Sequence, residues 1–230
     1  EALASELRQH AWLPHPSRLC SYSELVNPTG AIVDFFVSHW WGHPFPDTMK
    51  ALASWAEHVS RGSCRPGSKD IVFWMCFLAL NQHCVKDEVG ASPEQGPFNS
   101  ALVHARGAIM ILNETVAPFS RIWCLYEVSR LTALRKDLHL VCSLGPVAEL
   151  LASGSGKRTQ DTILRIEEAL ESLSAFHAQA SSDSDKLAIW HRVVDPIYQK
   201  TPLSQLVRHG TFTQFAFKRF DMTIRGLLAT

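Results

Sequence analysis

Two hundred and thirty residues, 46% hydrophobic and 19% charged, suit one large globular domain or a domain with an appendage, and argue against disorder. Lysine plus arginine and aspartate plus glutamate each number 22, so the formal charge is zero and no long-range field draws the chain to nucleic acid or an anionic membrane. Seven Trp and eleven His beside three Tyr are more aromatic and imidazole surface than packing alone demands, so their placement is the first question.

Residues 1–30 mix short apolar patches with Pro14, Pro16, Pro28 and Gly30, which predicts a short helix near Leu3 to His10 followed by a surface lead-in. Ile32 to Val37, β-branched and aromatic, reads as a buried strand ending before Gly42-His43-Pro44-Phe45-Pro46. Pro46 and Asp47 suit the first turn of a helix, and Met49, Leu52, Ala53, Ala56 and Val59 recur at helical spacing up to Arg61-Gly62. Ile71 to Leu80 is apolar throughout, the pattern of a central strand covered on both faces. A polar loop over 81–97, a short helix at Phe98 to Ala105, a strand at Ala108 to Leu112, a long helix at Arg121 to Arg135 and a strand at Leu138 to Cys142 complete the alternation.

That alternation predicts a three-layer α/β fold, a mostly parallel sheet of four or five strands flanked by helices and joined by right-handed crossovers. The Gly and Ser of 145–160 mark a composition shift, after which a stripe of Ile163, Ile166, Ala169, Leu170 and Leu173 and segments around Leu187 to Tyr198 and Phe212 to Leu228 predict helices. The expected organisation is a lead-in over 1–30, an α/β domain over 31–145 and a C-terminal helical extension over 146–230 that packs on it.

The six cysteines, at 20, 64, 76, 84, 124 and 142, form no CxxC pair, the pattern of scattered reduced thiols in a cytoplasmic protein. The longest apolar run, Ile71 to Leu80, is half of the roughly 20 residues that a membrane-spanning helix needs. Glu1 in place of Met, with no basic start before an apolar core, gives the expectation of an excerpt from a longer protein without a signal peptide.

In open parallel sheets, ligands bind outside the carboxyl ends of the strands. That rule selects Ser38-His39-Trp40-Trp41-Gly42-His43, Asn81-Gln82-His83, Asn113-Glu114-Thr115 and the start of the helix at Arg121. Much of the Trp and His surplus falls on this rim, whereas Trp12, Trp55, Trp74 and Trp190 read as structural. On the helical wheel, with Ile122 at zero, Trp123 lies at about 100°, Glu127 at about 140° and Leu131 at about 180°, so Glu127 sits within an apolar face. A carboxylate there must be paired, hydrogen-bonded or raised in pKa. Arg121 and Arg130 are its local candidates for an ion pair. Beside Trp123, an unpaired Glu127 suits a ligand with a planar ring as leaving group on a sugar, because an oxocarbenium-like centre needs a nearby anion.

Asp34-Phe35-Phe36-Val37-Ser38-His39 and Ser120-Arg121-Ile122-Trp123-Cys124-Leu125-Tyr126-Glu127-Val128 resemble the first strand and the later helix of Toll/interleukin-1 receptor (TIR) domains, most closely the plant and SARM-type members. The resemblance covers about residues 31 to 145 and rests mainly on Ser-x-x-Trp-Cys-x-x-Glu. It implies a TIR/flavodoxin-like fold and cleavage of nicotinamide from NAD, as a substrate and without a cofactor, in intracellular signalling. By resemblance Glu127 is the catalytic carboxylate and Trp123 its aromatic neighbour, while Ser38 and His39 lie beside the nucleotide pocket. Trp40, Trp41 and Gln82 join them as substrate-binding residues from their place on the rim. Two stretches depart from the family: Trp40-Trp41-Gly42 replaces a polar or basic residue, and the loop from Asn81 lacks the acidic Pro-Gly-type motif used in self-association. The alternative is a non-catalytic TIR-like module that signals by self-association.

Other motifs are weaker. Gly154-Ser155-Gly156-Lys157-Arg158-Thr159 lacks the first Gly and the Ser or Thr after Lys that a phosphate loop requires. His39, His43, Cys76, His83 and Cys84 match no zinc spacing, so no metal is expected.

Overall fold

The computed structural model describes residues 19–61, 70–89, 93–153, 156–194 and 210–228. The helix expected near Leu3 to His10, Trp12 and the Gly154-Ser155 turn lie outside them. In chain order the elements are α1 (Tyr22–Val26), β1 (Phe35–His39), α2 (Phe45–Arg61), β2 (Phe73–Met75), α3 (Cys76–Ala79), α4 (Val85–Val89), α5 (Pro97–His104) and β3 (Gly107–Leu112). A 3₁₀ turn (Ala117–Ser120) then leads into α6 (Ile122–Ala133), β4 (Asp137–Cys142), β5 (Gly145–Pro146), α7 (Val147–Ser153), α8 (Lys157–Ser172), α9 (Asp183–Val193) and α10 (Gly210–Leu228).

The strands form one sheet in the order β2-β1-β3-β4-β5. The first four are parallel, with Phe35 opposite Gly107 and Gly107 opposite Asp137, and β5 runs antiparallel to β4. All five residues of β1 and all six of β3 are buried, as expected for strands covered on both faces. Their side chains alternate between two layers. Phe35, Val37, Ile109 and Ile111 pack with Leu52 and Trp55 of α2, while Phe36 and Ala108 pack with Leu102 of α5 and Leu131 of α6. A larger cluster joins Met110, Leu112 and the buried face of α6 to Ile166, Trp190 and Phe217, so the C-terminal helices share the core of the sheet.

The expected α/β architecture is therefore present, with four corrections, the first being that the polar loop expected over 81–97 contains the helix α4. The first strand is Phe35–His39, where Ile32 to Val37 was expected: Ile32 is 89% exposed. Asp34 fixes the start, its carboxylate accepting from Val72 N at 3.0 Å and pairing with Arg106 at 2.9 Å. Ser38 and His39 consequently lie inside the strand and are buried. The second strand is only Phe73–Met75 and stands at the sheet edge, because the chain turns into helix at Cys76. A continuous apolar run has no period with which to tell a buried strand from a buried helix. The buried face of α2 is Ala51, Leu52, Trp55 and Ala56, whereas Met49 and Ala53 are exposed; the bulk of Trp55, in edge contact with Phe35 at 4.7 Å, sets the helix rotation. No described helix is long and apolar enough to cross a membrane.

Gly107 allows β4 to approach β3: a Cβ there would stand 2.8 Å from the Asp137 carbonyl oxygen. Gly107→Ala should cost about 1–3 kcal/mol, lowering Tm by several degrees. Gly226→Ala, on α10 with nothing within 4 Å, should be neutral or stabilising. Melting curves check the pair, and equal effects at both positions would contradict the close approach.

Candidate active site

The start of α6 is built by local hydrogen bonds. Asn113 Oδ1, just past β3, accepts from Ala117 N at 2.7 Å, and Val116 takes a left-handed φ of 52°, turning the chain into the 3₁₀ turn. Residues 120–122 are then clamped from far along the sequence: Gln179 N donates to Ser120 O at 2.7 Å, and Ile122 N donates to Gln179 O at 2.9 Å. Arg121 Nη2 donates to Ser181 Oγ at 3.1 Å. The segment before α9 is thus fastened to the helix that carries Trp123 and Glu127.

Between them, at the carboxyl end of β1, lies a cavity of about 260 Å³. Val37, His39, Cys76, Cys124 and Glu127 form its buried floor. Leu80, Val85, Val89 and Phe98 add apolar walls, and Trp41, Arg121, Trp123, Ser181 and Asp185 stand toward the mouth. Trp123 is held in place, stacked on Phe98 with ring centroids 5.3 Å apart and donating from Nε1 to Asp185 Oδ2 at 3.3 Å. Trp41 is 60% exposed, and its Nε1 donates to Cys76 Sγ at 3.1 Å.

Glu127 is 5% exposed. Neither candidate arginine pairs with it: Arg130 Nε donates to Asn99 Oδ1 at 3.0 Å, and Arg121 reaches Ser181. Burial pushes the Glu127 carboxyl up to about 8, with the Ser38 hydroxyl pulling the other way. Ser38 Oγ nevertheless finds no hydrogen bond of good geometry, and neither does Glu127 Oε2. Of the five such buried atoms among the described residues, three are here: Ser38 Oγ, His39 Nε2 and Glu127 Oε2. Buried polar atoms are rarely left without partners, so their clustering in and behind one cavity floor marks a place built for something other than stability.

The rest of the floor is neutral. Burial pulls the His39 imidazole down to about 4 and pushes the Cys76 thiol up to about 12, with Glu127 adding to the latter. Burial, again reinforced by Glu127, also raises the Cys124 thiol. These thiols are poor nucleophiles, and the ionisation available at neutral pH is that of Glu127.

His39, Trp41, Trp123 and Glu127 are brought together as expected. Ser38 lies behind the floor. Trp40 is not on the lining; its ring packs over Gly42, where a Cβ would stand 2.3 Å from it. Gln82 is exposed, and its Nε2 donates to Leu80 O at 3.1 Å. His43 is not on the lining; its Nδ1 lies 2.7 Å from Thr48 Oγ1. Asn113 and Glu114 line a separate cavity of about 160 Å³ with Arg158 and Arg165. Among the described residues no group of three His, Cys, Asp or Glu is placed to hold a metal ion. Sequence reasoning passed over Phe98, Ser181 and Asp185; the cue for the last two was the helix cap of Ser182, whose Oγ accepts from Asp185 N at 3.2 Å.

No protein-family model matches the chain, and no curated protein or solved structure is significantly similar to it.

Because the Glu127 value of about 8 lies above the ordinary 4.5, the folded protein holds an extra proton across that window, and stability falls as pH rises through it. His39 acts in the opposite sense between its ordinary 6.5 and about 4, losing stability as pH falls, and Asp221 acts only between 3.8 and about 6. From pH 6.5 to 8, Glu127→Gln should therefore gain on the wild type by on the order of 2 kcal/mol, roughly 4–8 °C in Tm. Melting temperatures across that range test this, and parallel profiles for the two proteins would show that the carboxyl is solvated.

Proposed function

We propose that the chain is a TIR-like nucleotide glycohydrolase that cleaves the nicotinamide–ribose bond of NAD in intracellular signalling, with Glu127 as the catalytic carboxylate. One observation carries the reading: a buried carboxyl without a counter-ion faces a cavity at the carboxyl end of the central strands. A structural ion pair would have filled that place with a guanidinium.

The nicotinamide ring of NAD is a pyridinium, so a cation entering beside Glu127 lowers the carboxyl pKa and brings the ionised form into the neutral range. As the C1′–N bond lengthens, positive charge moves from the ring to the ribose. The bonding electrons leave with the ring nitrogen, and nicotinamide departs neutral without a general acid. The Glu127 carboxylate then faces the oxocarbenium-like carbon in a cavity walled by apolar side chains, where a fixed charge counts for more than in water. Trp123, held by Phe98 and Asp185, and Trp41 offer flat surfaces for the ring. His39, kept neutral, offers a ring nitrogen to a hydroxyl.

The purified protein incubated with NAD should release nicotinamide, and Glu127→Ala and Glu127→Gln should slow this by about 10²–10³-fold. Equal turnover by the wild type and both variants would remove Glu127 from the mechanism. Absence of turnover, combined with concentration-dependent oligomers in light scattering, would favour the non-catalytic self-associating module.

A further inference from the structure

We propose that the recognition unit of this cavity is the nicotinamide mononucleotide half of the dinucleotide, its pyridinium and ribose directed at Glu127 and its 5′-phosphate held at the mouth by Arg121. The inference rests on the glycohydrolase reading and narrows it, since the adenylate half then makes no required contact and the free mononucleotide is a substrate.

Size is the first argument. A volume of about 260 Å³ lies just below the roughly 300–1,000 Å³ of pockets that bury most of a drug-sized ligand, which suits enclosure of one ring with its ribose better than of a whole dinucleotide. Polarity is the second. The cavity carries a carboxyl at its floor and a guanidinium at its mouth, opposite in order to the charges of a nicotinamide mononucleotide that enters ring first. Among the described residues Arg121 has no carboxylate partner, and its Nη2 donates to the Ser181 hydroxyl, which leaves further guanidinium donors for an anion. It occupies the N-cap of α6, where Gln179 O takes the Ile122 N–H and no side chain caps the remaining donors, so the positive end of the helix adds to the charge at this end of the cavity.

Spacing is the third argument. Arg121 and Glu127 line the same cavity from positions about 9 Å apart along the helix axis at 1.5 Å per residue, a spacing on the order of the length of a ribose 5′-phosphate. Asp185, the second carboxylate on the lining, would repel a phosphate placed beside it. Its Oδ2 is occupied by Trp123 Nε1, and it is left to accept from the ribose diol. On the mononucleotide the chemistry balances without any other reactant than water. The C1′–N bond breaks with its electron pair going to nicotinamide, a water oxygen bonds to C1′, and the water proton passes to the Glu127 carboxylate, giving ribose 5-phosphate.

The experiment compares kcat/KM for nicotinamide release from NAD, nicotinamide mononucleotide and nicotinamide riboside by the wild type, Arg121→Gln and Arg121→Lys, with melting curves to show that each variant is folded. The mononucleotide should lie within about tenfold of NAD and at least tenfold above the riboside, a preference that Arg121→Gln abolishes and Arg121→Lys partly keeps. Turnover of NAD without turnover of the mononucleotide would overturn the inference while leaving the glycohydrolase reading intact. If none of the three is cleaved, that reading fails, and calorimetric titration decides the inference. Tighter binding of the mononucleotide than of the riboside, lost in Arg121→Gln, would sustain it; equal binding or none would end it.

Discussion

A carboxyl buried without a cation is the constraint around which the rest of the molecule is arranged. Taking an anion out of water costs several kcal/mol unless a partner compensates, and Glu127 meets this cost by holding its proton. The same desolvation holds His39 neutral and keeps the Cys76 and Cys124 thiols protonated. The floor is thus uncharged when empty, yet any cation admitted to it converts Glu127 to its ionised form. On the proposed glycohydrolase reading, affinity for a positive ring and release of a neutral one would both follow from that single property.

Holding such a group in place needs a rigid surround. The sheet supplies it through β1 and β3, buried along their whole length, with Trp55 fixing α2 on one face and Leu102 and Leu131 closing the other. At the open end the stiffness comes from aromatic contact: Phe98 under Trp123, Trp74 in edge contact with Phe98 at 5.3 Å, and Trp74 stacked on Phe36 at 5.0 Å. The tryptophan surplus therefore has two uses. Trp55, Trp74 and Trp190 fill the core layers, and Trp41 and Trp123 frame the cavity.

How much of this could be read from the sequence depended on whether the signal was periodic. The α6 stripe placed Glu127 among apolar neighbours because 3.6-residue periodicity survives folding unchanged, and the alternation of strand and helix gave the α/β class. Ile71 to Leu80 carried no period, so its break into a short edge strand and a helix was invisible. Trp40 and Trp41 could not be told apart by composition; which one faces the cavity depends on the turn at Gly42, where only hydrogen fits beneath the Trp40 ring. Ser181 and Asp185 reach the site through tertiary pairing across some sixty residues, and the local cap at Ser182 marks the helix start without indicating what that start packs against.

That pairing makes the segment before α9 a wall of the cavity. The three-residue ladder of Ser120, Gln179 and Ile122 joins a helix that can form early to a segment synthesised more than fifty residues later. Until that segment docks, the mouth beside Trp123 stands open and Glu127 is closer to water, where a carboxyl ionises at its ordinary value. Closing the wall takes water away from Glu127 and so favours its protonated form, which ties the docking of a segment distant in sequence to the charge of the cavity floor.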